Sequence, residues 1–181
     1  MLVMLDRDGV INEDRADSVK SIDELVLIEG AAQAIAKLNH AQAKVAIITN
    51  QSVVGRGTIT SQQLDTIHDH LRALLAQHGA HVDAIYVCAD HPDAASNRRK
   101  PAAGMLHEAL QHFSADPSQS PMVGDALRDL QAAHAAGCPR YLVKTGKGAA
   151  LLQEGVPQSL NPVVLCDDLA AAVDVILEAR S

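Results

Sequence analysis

Residues 2–9 of the 181-residue chain read LVMLDRDG, four apolar residues that run directly into two carboxylates and a glycine. A short apolar run of this kind predicts a buried β-strand over residues 2–5, with both acids at its end. Apolar residues at helical spacing follow over residues 31–42, and a second apolar run, KVAIIT, covers residues 44–49. The chain therefore begins as a β-α-β unit, from which parallel sheets are built.

The same alternation continues toward the C-terminus. After a glycine-punctuated loop over residues 50–57, Thr60 and Gln63 have the spacing of a capping box at the start of a helix. Further strands are predicted at residues 84–88, 121–124, 141–144 and 163–165, and further helices after Pro101, at 127–136, near 149–154 and after Asp167 or Asp168. We expect an α/β fold, an open, mainly parallel Rossmann-like sheet with helices on both faces, in one domain spanning residues 1–181. Ligands of such sheets bind at the C-terminal ends of the strands.

Composition excludes several classes of partner. Hydrophobic residues make up 48% and charged residues 20% of the chain, which is typical of a folded globular protein. With 15 Lys and Arg against 22 Asp and Glu, the net charge of −7 argues against nucleic acid or an anionic membrane as a partner. The three cysteines form no CxxC pair, and the N-terminal apolar run is too short for a signal peptide. We expect a cytoplasmic monomer.

The two acids after the first strand point to phosphoryl chemistry. Residues two apart on an extended segment face the same side, so Asp6 and Asp8 are predicted to face one cleft. Carboxylates this close repel each other, which favours binding of Mg²⁺. One of them can attack phosphorus while the other transfers the proton. Asp125, after the fourth predicted strand, offers another oxygen ligand, and Asp129 lies one helical turn further on, where it could orient metal-bound water.

Thr49 and Lys100 complete the set. A hydroxyl donor and a point positive charge both suit a phosphoryl group whose charge must be stabilised during transfer. Each of these residues taken singly is more often a helix cap or a turn former. Their order along the chain, each beside the end of a regular element, favours an active site.

This ordered set resembles the four motifs of the haloacid dehalogenase (HAD) superfamily of phosphatases, which here would be Asp6-x-Asp8-Gly9, Thr49, Lys100 and Gly124-Asp125-x-x-x-Asp129. Further stretches are similar to the small cap-less branch that holds the heptose 1,7-bisphosphate and histidinol-phosphate phosphatases: Arg7 within the first motif, Thr49-Asn50-Gln51-Ser52, and Arg99-Lys100-Pro101. The resemblance covers nearly the whole chain.

The resemblance implies a role for each matching residue. Asp6 would be the nucleophile that forms an aspartyl-phosphate, and Asp8 the acid that protonates the leaving alcohol and then activates water. Mg²⁺ would be held by Asp6, by the main-chain carbonyl of Asp8 and by Asp125. Thr49 and Lys100 would bind the transferred phosphate, and the residues facing the substrate would be Asn50, Gln51, Arg56 and Arg99.

The arginines favour a substrate with a second phosphate. We expect Arg56, Arg98 and Arg99 to gather around an anionic group, since arginine binds phosphate through bidentate contacts. The expected reaction is removal of the 7-phosphate of D-glycero-D-manno-heptose 1,7-bisphosphate, a phosphorylated sugar on the route to lipopolysaccharide. The alternative within the branch is histidinol phosphate, whose cation these arginines would repel.

An alternative of a different class is a receiver-like signalling domain that accepts a phosphoryl group and keeps it. Such domains also gather acids, a hydroxyl residue and a lysine around Mg²⁺. Asp8 opposes this interpretation, because a phosphatase that turns over needs an acid there for its leaving group. The long loops over residues 50–56 and 89–99 likewise suit a small substrate.

The zinc-binding loop of the branch is altered in this chain. That loop usually supplies Cys-x-His and then Cys-x-Cys before Arg-Lys-Pro, and the four positions here are Cys88, Asp90, Ser96 and Arg98. Arginine carries only donors and cannot ligate zinc, and the neighbouring His91 with Cys88 gives just two ligands of the four that a structural site needs. We therefore expect Mg²⁺ as the metal and no structural zinc.

Elemental analysis tests this expectation. Protein purified without an affinity tag and without added metal should contain substoichiometric zinc, because the loop lacks the thiolates that close a tetrahedral site. Stoichiometric zinc would mean that Cys88 and His91 recruit two ligands from elsewhere in the chain.

Overall fold

A sheet of six parallel strands forms the centre of the structure, a computed structural model that describes residues 1–179. The strands are β1 (Leu2–Leu5), β2 (Lys44–Asn50), β3 (Ala84–Cys88), β4 (Met122–Gly124), β5 (Arg140–Val143) and β6 (Val163–Cys166). Their order across the sheet is β3-β2-β1-β4-β5-β6, and every neighbouring pair is parallel. The predicted open parallel sheet is confirmed.

Helices cover both faces of this sheet. They are α1 (Ala31–His40), α2 (Ser52–Gly55), α3 (Ser61–Ala76), α4 (Gly104–His112), α5 (Leu127–Ala135), α6 (Gly148–Glu154) and α7 (Leu169–Glu178). Alternate residues of β1 point to opposite faces: Val3 and Leu5 pack with α1, α3 and α7, whereas Leu2 and Met4 pack with α4 and α5. Strands buried on both faces explain why the sequence shows continuous apolar runs and not alternation.

The predicted elements differ from the observed ones mainly at their ends. The capping box is present, with Thr60 Oγ1 accepting from the N–H of Gln63 and the Gln63 side chain accepting from the N–H of Thr60. The helix expected directly after Pro101 begins three residues later, at Gly104. The glycine-punctuated loop contains the short helix α2, where Val53 is buried in the core.

The topology places the ends of β1 and β4 side by side. The chain winds outward from β1 through β2 and β3, and outward in the other direction from β4 through β5 and β6. Such a reversal opens a crevice at the C-terminal strand ends, and Asp6 and Asp125 directly follow the two strands that flank it.

The segments that follow β1 and β3 are mostly irregular in residues 1–179. Within residues 6–30 and 89–103 the helical structure consists of three-residue 3₁₀ turns, at Ile22–Glu24 and Pro92–Ala94. Along residues 1–179, none of the helices combines the length and the apolar character that a membrane crossing requires.

Candidate active site

Lys100 is buried at the centre of the site. Its Nζ atom lies 2.9 Å from Asp6 Oδ1 and 2.7 Å from Asp129 Oδ1, and it donates to the main-chain carbonyl of Ile48 at 2.7 Å. Burial alone would lower the pKa of this lysine, but Asp129 and Asp6 raise it above its ordinary value. Lys100 is therefore a fixed positive charge between two carboxylates.

Asn50 holds the backbone of that lysine. Its Nδ2 donates to the carbonyl of Lys100 at 2.9 Å, and its Oδ1 accepts from the N–H of Lys100 at 3.1 Å. Asn50 therefore positions the backbone of Lys100. The expected contact of Asn50 with substrate stays a prediction.

Three buried carboxylates surround one point in the crevice. Oxygen atoms of Asp6, Asp125 and Asp129 all lie within 4.8 Å of one another. Burial, together with the charge of Asp129, raises the pKa of Asp6 to about 7 and that of Asp125 to about 6. These shifts mean that the three acids resist being ionised together unless a cation neutralises them.

The donor set fits Mg²⁺. Asp125 Oδ1 is buried and has no hydrogen-bond partner among residues 1–179. A buried carboxylate oxygen without a donor, beside two further carboxylates, is what a hard divalent cation requires. Asp6 and Asp125 are therefore suited to hold the ion. The third carboxylate of the cluster is that of Asp129, whose Oδ2 also accepts from the N–H of Ala126 at 3.0 Å.

Asp125 lies in a cradle that sequence reasoning missed. Its Oδ2 accepts from the N–H of Lys147 at 2.8 Å. Gly9 and Gly146 both have positive φ, 83° and 56°, and a Cβ atom at either would overlap Asp125 Oδ2. Thr145 Oγ1 donates to the carbonyl of Gly9 at 2.6 Å and so joins the two glycine turns. The loop after β5 is therefore part of the site.

The carboxylate of Asp8 is turned aside from this cluster. It accepts from Arg7 Nη2 at 2.9 and 3.1 Å, from Asn12 Nδ2 at 2.8 Å and from Gln51 Nε2 at 2.8 Å. Burial would raise the pKa of Asp8, but the Arg7 charge and the Asn12 hydrogen bond hold it below its ordinary value. Asp8 is therefore set apart from the carboxylate cluster that contains Asp6, and the expectation that both acids face one cleft stays a prediction.

Thr49 is linked to Asp8 through the side chain of Gln51. Gln51 Nε2 donates to Thr49 Oγ1 at 2.8 Å as well as to Asp8, so its amide nitrogen has no hydrogen left for a substrate. Both Thr49 and Gln51 are buried. The structure thus makes Gln51 the link between the predicted phosphate-binding hydroxyl and Asp8, and a substrate contact of Gln51 stays a prediction.

The arginines do not all gather at one place. Arg56 is exposed, and Arg99 is half-buried with Nη1 donating to the carbonyl of Asp90 at 3.2 Å. Arg98 pairs instead with Glu108 at 3.2 Å and donates to the carbonyl of Val87 at 3.1 Å. The expectation that Arg98 joins a second anion site is therefore wrong: the acid on α4 holds it.

Arg128 is a further charged residue of the site that the sequence analysis did not single out. It is partly buried at the start of α5, and Asp129, Asp6 and Asp125 raise its pKa against the opposing effect of burial. Its place between the two acids of the Gly124–Asp129 motif could have suggested it.

The altered zinc loop is ordered by hydrogen bonds. Asp90 Oδ2 accepts from the N–H of Ser96 at 2.7 Å, and Ser96 Oγ accepts from the N–H of Arg98 at 3.2 Å. Cys88 is buried as a free thiol at the end of β3. The loop also packs on the turn after β2, because a Cβ at Gly55 would overlap the backbone of Ala89 and His91.

Comparisons with known proteins agree with this geometry. A family model described as HAD-hydrolase-like matches residues 97–172. The chain is 44% identical, over 98% of its length and 98% of the relative's, to D-glycero-beta-D-manno-heptose-1,7-bisphosphate 7-phosphatase of Bordetella bronchiseptica, and 41% identical over the same shares to the enzyme of that name from Pseudomonas aeruginosa. Its structure resembles a crystal structure of D,D-heptose 1,7-bisphosphate phosphatase from B. bronchiseptica complexed with magnesium and phosphate, with a TM-score of 0.93 and 43% identity over 98% of each chain.

Fold and site together define a hydrolase of the HAD-like class, which acts on phosphate esters and uses Mg²⁺. Within that class the chain belongs to the family of the D-glycero-D-manno-heptose 1,7-bisphosphate 7-phosphatases. It is a phosphatase, and the receiver-domain alternative is set aside.

The glycine cradle generates a prediction with an internal control. Gly146→Ala should lower the apparent affinity for Mg²⁺ and the turnover by about tenfold or more, because the added methyl group displaces the Asp125 carboxylate. Gly79→Ala carries the same backbone strain, at φ 68°, but has open space around its Cβ. This control should lose only about 1 kcal/mol of stability and keep its Mg²⁺ dependence. Equal Mg²⁺ titrations for the two variants would contradict the cradle.

Proposed function

We propose that this chain removes the 7-phosphate of D-glycero-D-manno-heptose 1,7-bisphosphate, through a phosphoryl-enzyme intermediate on Asp6. The observation that carries the proposal is the contrast between two acids two residues apart. Asp6 lies against Lys100 in the carboxylate cluster, while Asp8 is held outside it by its own hydrogen bonds. Relatives 44% and 41% identical to the chain, matched over 98% of their own length, bear the name of this activity.

The first half of the proposed reaction transfers the phosphoryl group to Asp6. A carboxylate oxygen of Asp6 forms a bond to phosphorus, the bond from phosphorus to the sugar oxygen breaks, and the leaving oxygen takes the proton of Asp8. A phosphate dianion beside Asp8 favours the protonated acid that this step needs. Thr49 donates to a phosphate oxygen, and Lys100 stabilises the charge on the transferring group.

The second half releases inorganic phosphate. Asp8, now ionised, takes a proton from a water molecule whose oxygen attacks the phosphorus of the aspartyl-phosphate. The bond between phosphorus and Asp6 breaks, and the Asp6 carboxylate is restored. The Arg7 and Asn12 contacts that hold the pKa of Asp8 low favour the ionised form that acts as this base.

Mg²⁺ would be held by Asp6, the main-chain carbonyl of Asp8 and Asp125, and when bound it neutralises charge on the phosphoryl oxygens. Asp129 forms an ion pair with Lys100 and accepts from the backbone at the start of α5, and these two contacts hold Lys100 beside Asp6.

The second phosphate of the substrate is assigned to Arg56 and Arg99. These residues come from loops that touch each other at Gly55, and they are close in the chain to the predicted substrate-facing residues Asn50 and Gln51 and to Lys100. Arg99 uses only Nη1 in its contact with Asp90, so its remaining hydrogens can face an anion.

Two substitutions test the roles of the acids. Asp6→Asn should abolish turnover with the fold retained, because an amide oxygen cannot form the phosphoryl-enzyme. Asp8→Asn should lower turnover by about 10²–10⁴-fold through loss of proton transfer. Steady-state rates, with circular dichroism as the control for folding, check both. Full activity in Asp6→Asn would contradict the mechanism.

Substrate selectivity tests the identity of the sugar phosphate. The chain should show the highest kcat/KM for the heptose bisphosphate, a lower value for the monophosphate and the lowest for histidinol phosphate. Arg99→Ala should reduce the preference for the bisphosphate over the monophosphate by about tenfold, because it removes a charge-assisted contact. Arg98→Ala is the matched control, since Glu108 already holds that arginine, and its preference should be unchanged. A preference for histidinol phosphate, or an unchanged ratio in Arg99→Ala, would overturn the assignment.

We further propose that the protein works as a cytoplasmic monomer with no nucleic acid or membrane partner. The three cysteines, Cys88, Cys138 and Cys166, are buried free thiols, which suits a reducing compartment. The net charge of −7 would oppose binding to anionic polymers. Light scattering should give the mass of a single chain, and a stable dimer would contradict this proposal.

A further inference from the structure

A buried histidine on α3 contacts the arginine that holds Asp8. His68 is 4% exposed, and its Nε2 lies 3.1 Å from Nη1 of Arg7, which is fully buried. From its place on the helix, in the apolar stripe that includes Leu64 and Leu71, His68 would be expected to serve only as a core residue. Its contact with Arg7 indicates a role beyond packing in the core.

The Arg7 guanidinium has two sides with two partners. Nε and Nη2 both donate to Asp8 Oδ1, at 3.2 and 2.9 Å, and Nη2 also reaches Oδ2 at 3.1 Å. Nη1 lies 3.1 Å from Nε2 of the His68 ring. Because the guanidinium is rigid and planar, fixing Nη1 also fixes the fork that grips the Asp8 carboxylate.

The chemistry of this contact determines the state of the ring. An arginine has only donors, so Nε2 of His68 must accept, and the ring must be neutral with its proton on Nδ1. Burial and the Arg7 charge, which lower the pKa of His68 to about 4, agree with a ring that stays neutral. The ring also borders a surface cavity of about 350 Å³, lined by Asp65, Asp69 and Arg72 among others.

We propose that His68 is a positioning residue for the phosphatase reaction, which orients Asp8 through Arg7 without touching the substrate. The inference rests on the proposed function of Asp8 as acid and base. Asn12 and Gln51 also donate hydrogen bonds to the Asp8 carboxylate. Loss of His68 should therefore change the orientation of Asp8 while these two hydrogen bonds remain.

The first test measures the tautomer of His68 in the unsubstituted protein. Two-bond ¹H–¹⁵N spectra at neutral pH should show His68 as the neutral Nδ1–H tautomer, and its signal is assigned by its absence in His68→Gln. An Nε2–H tautomer or an imidazolium for His68 would overturn the proposal, because neither can accept from Arg7.

The second test uses the leaving group. His68→Leu removes the acceptor, and His68→Gln places a carbonyl oxygen where Nε2 was. kcat/KM, which reports the steps up to release of the alcohol, is compared for the heptose bisphosphate and for p-nitrophenyl phosphate, whose leaving group departs without an acid. The Leu variant should lose about tenfold more on the sugar phosphate than on the aryl phosphate, and the Gln variant should restore the ratio.

The outcomes separate this proposal from the one on which it rests. If Asp8→Asn shows no selective loss on the sugar phosphate, the acid role of Asp8 is wrong. If Asp8→Asn shows that loss and His68→Leu loses equally on both substrates, the positioning role of His68 alone is overturned. A Gln variant as selective in its loss as the Leu variant would overturn it too, because the accepting atom would then be irrelevant.

Discussion

The ion pair of the buried Lys100 ammonium with Asp6 and Asp129 is the interaction on which the site depends. Two carboxylates pair with this lysine, a third, that of Asp125, lies beside them, and all are buried, so that each uncompensated charge is costly. Removing the lysine alone would leave buried acids unpaired, a loss of about 3–5 kcal/mol. The remaining excess of negative charge gives the crevice its affinity for a divalent cation, since the orphaned Asp125 oxygen has no donor in residues 1–179.

Two acids of one short segment acquire opposite properties because their partners differ. Burial and neighbouring carboxylates raise the pKa of Asp6, whereas the Arg7 guanidinium and the hydrogen bonds of Asn12 and Gln51 lower that of Asp8 despite its burial. A site that separates the pKa values of two carboxyl groups in this way can use one group for nucleophilic attack and the other for proton transfer. Both acids lie beyond the end of β1, and Gly9, with a φ of 83°, turns the chain directly after Asp8.

The sequence was sufficient for the sheet, since its apolar runs and helical stripes are properties of local spacing. It was also sufficient to bring Asp6 and Asp125 together, because parallel strands end at one edge. The contacts between loops could not be predicted from the sequence. Gly146 lies 21 residues from Asp125 with no local pattern that connects them, and only the folded course of both loops shows the contact. Arg98 was assigned wrongly for the same reason: Glu108, one helix away, competes for it.

The central claim is that the carboxylate cluster is short of positive charge until Mg²⁺ is bound. Thermal unfolding of the natural chain and of Asp125→Asn, each in chelator and in Mg²⁺, tests it most directly. In Asp125→Asn one like charge is gone and the new amide can donate to its neighbours, so this variant should melt at or above the natural chain in chelator. Mg²⁺ should raise the melting temperature of the natural chain by several degrees and leave that of the variant unchanged. An equal rise in both proteins, or a variant less stable in chelator, would contradict the claim.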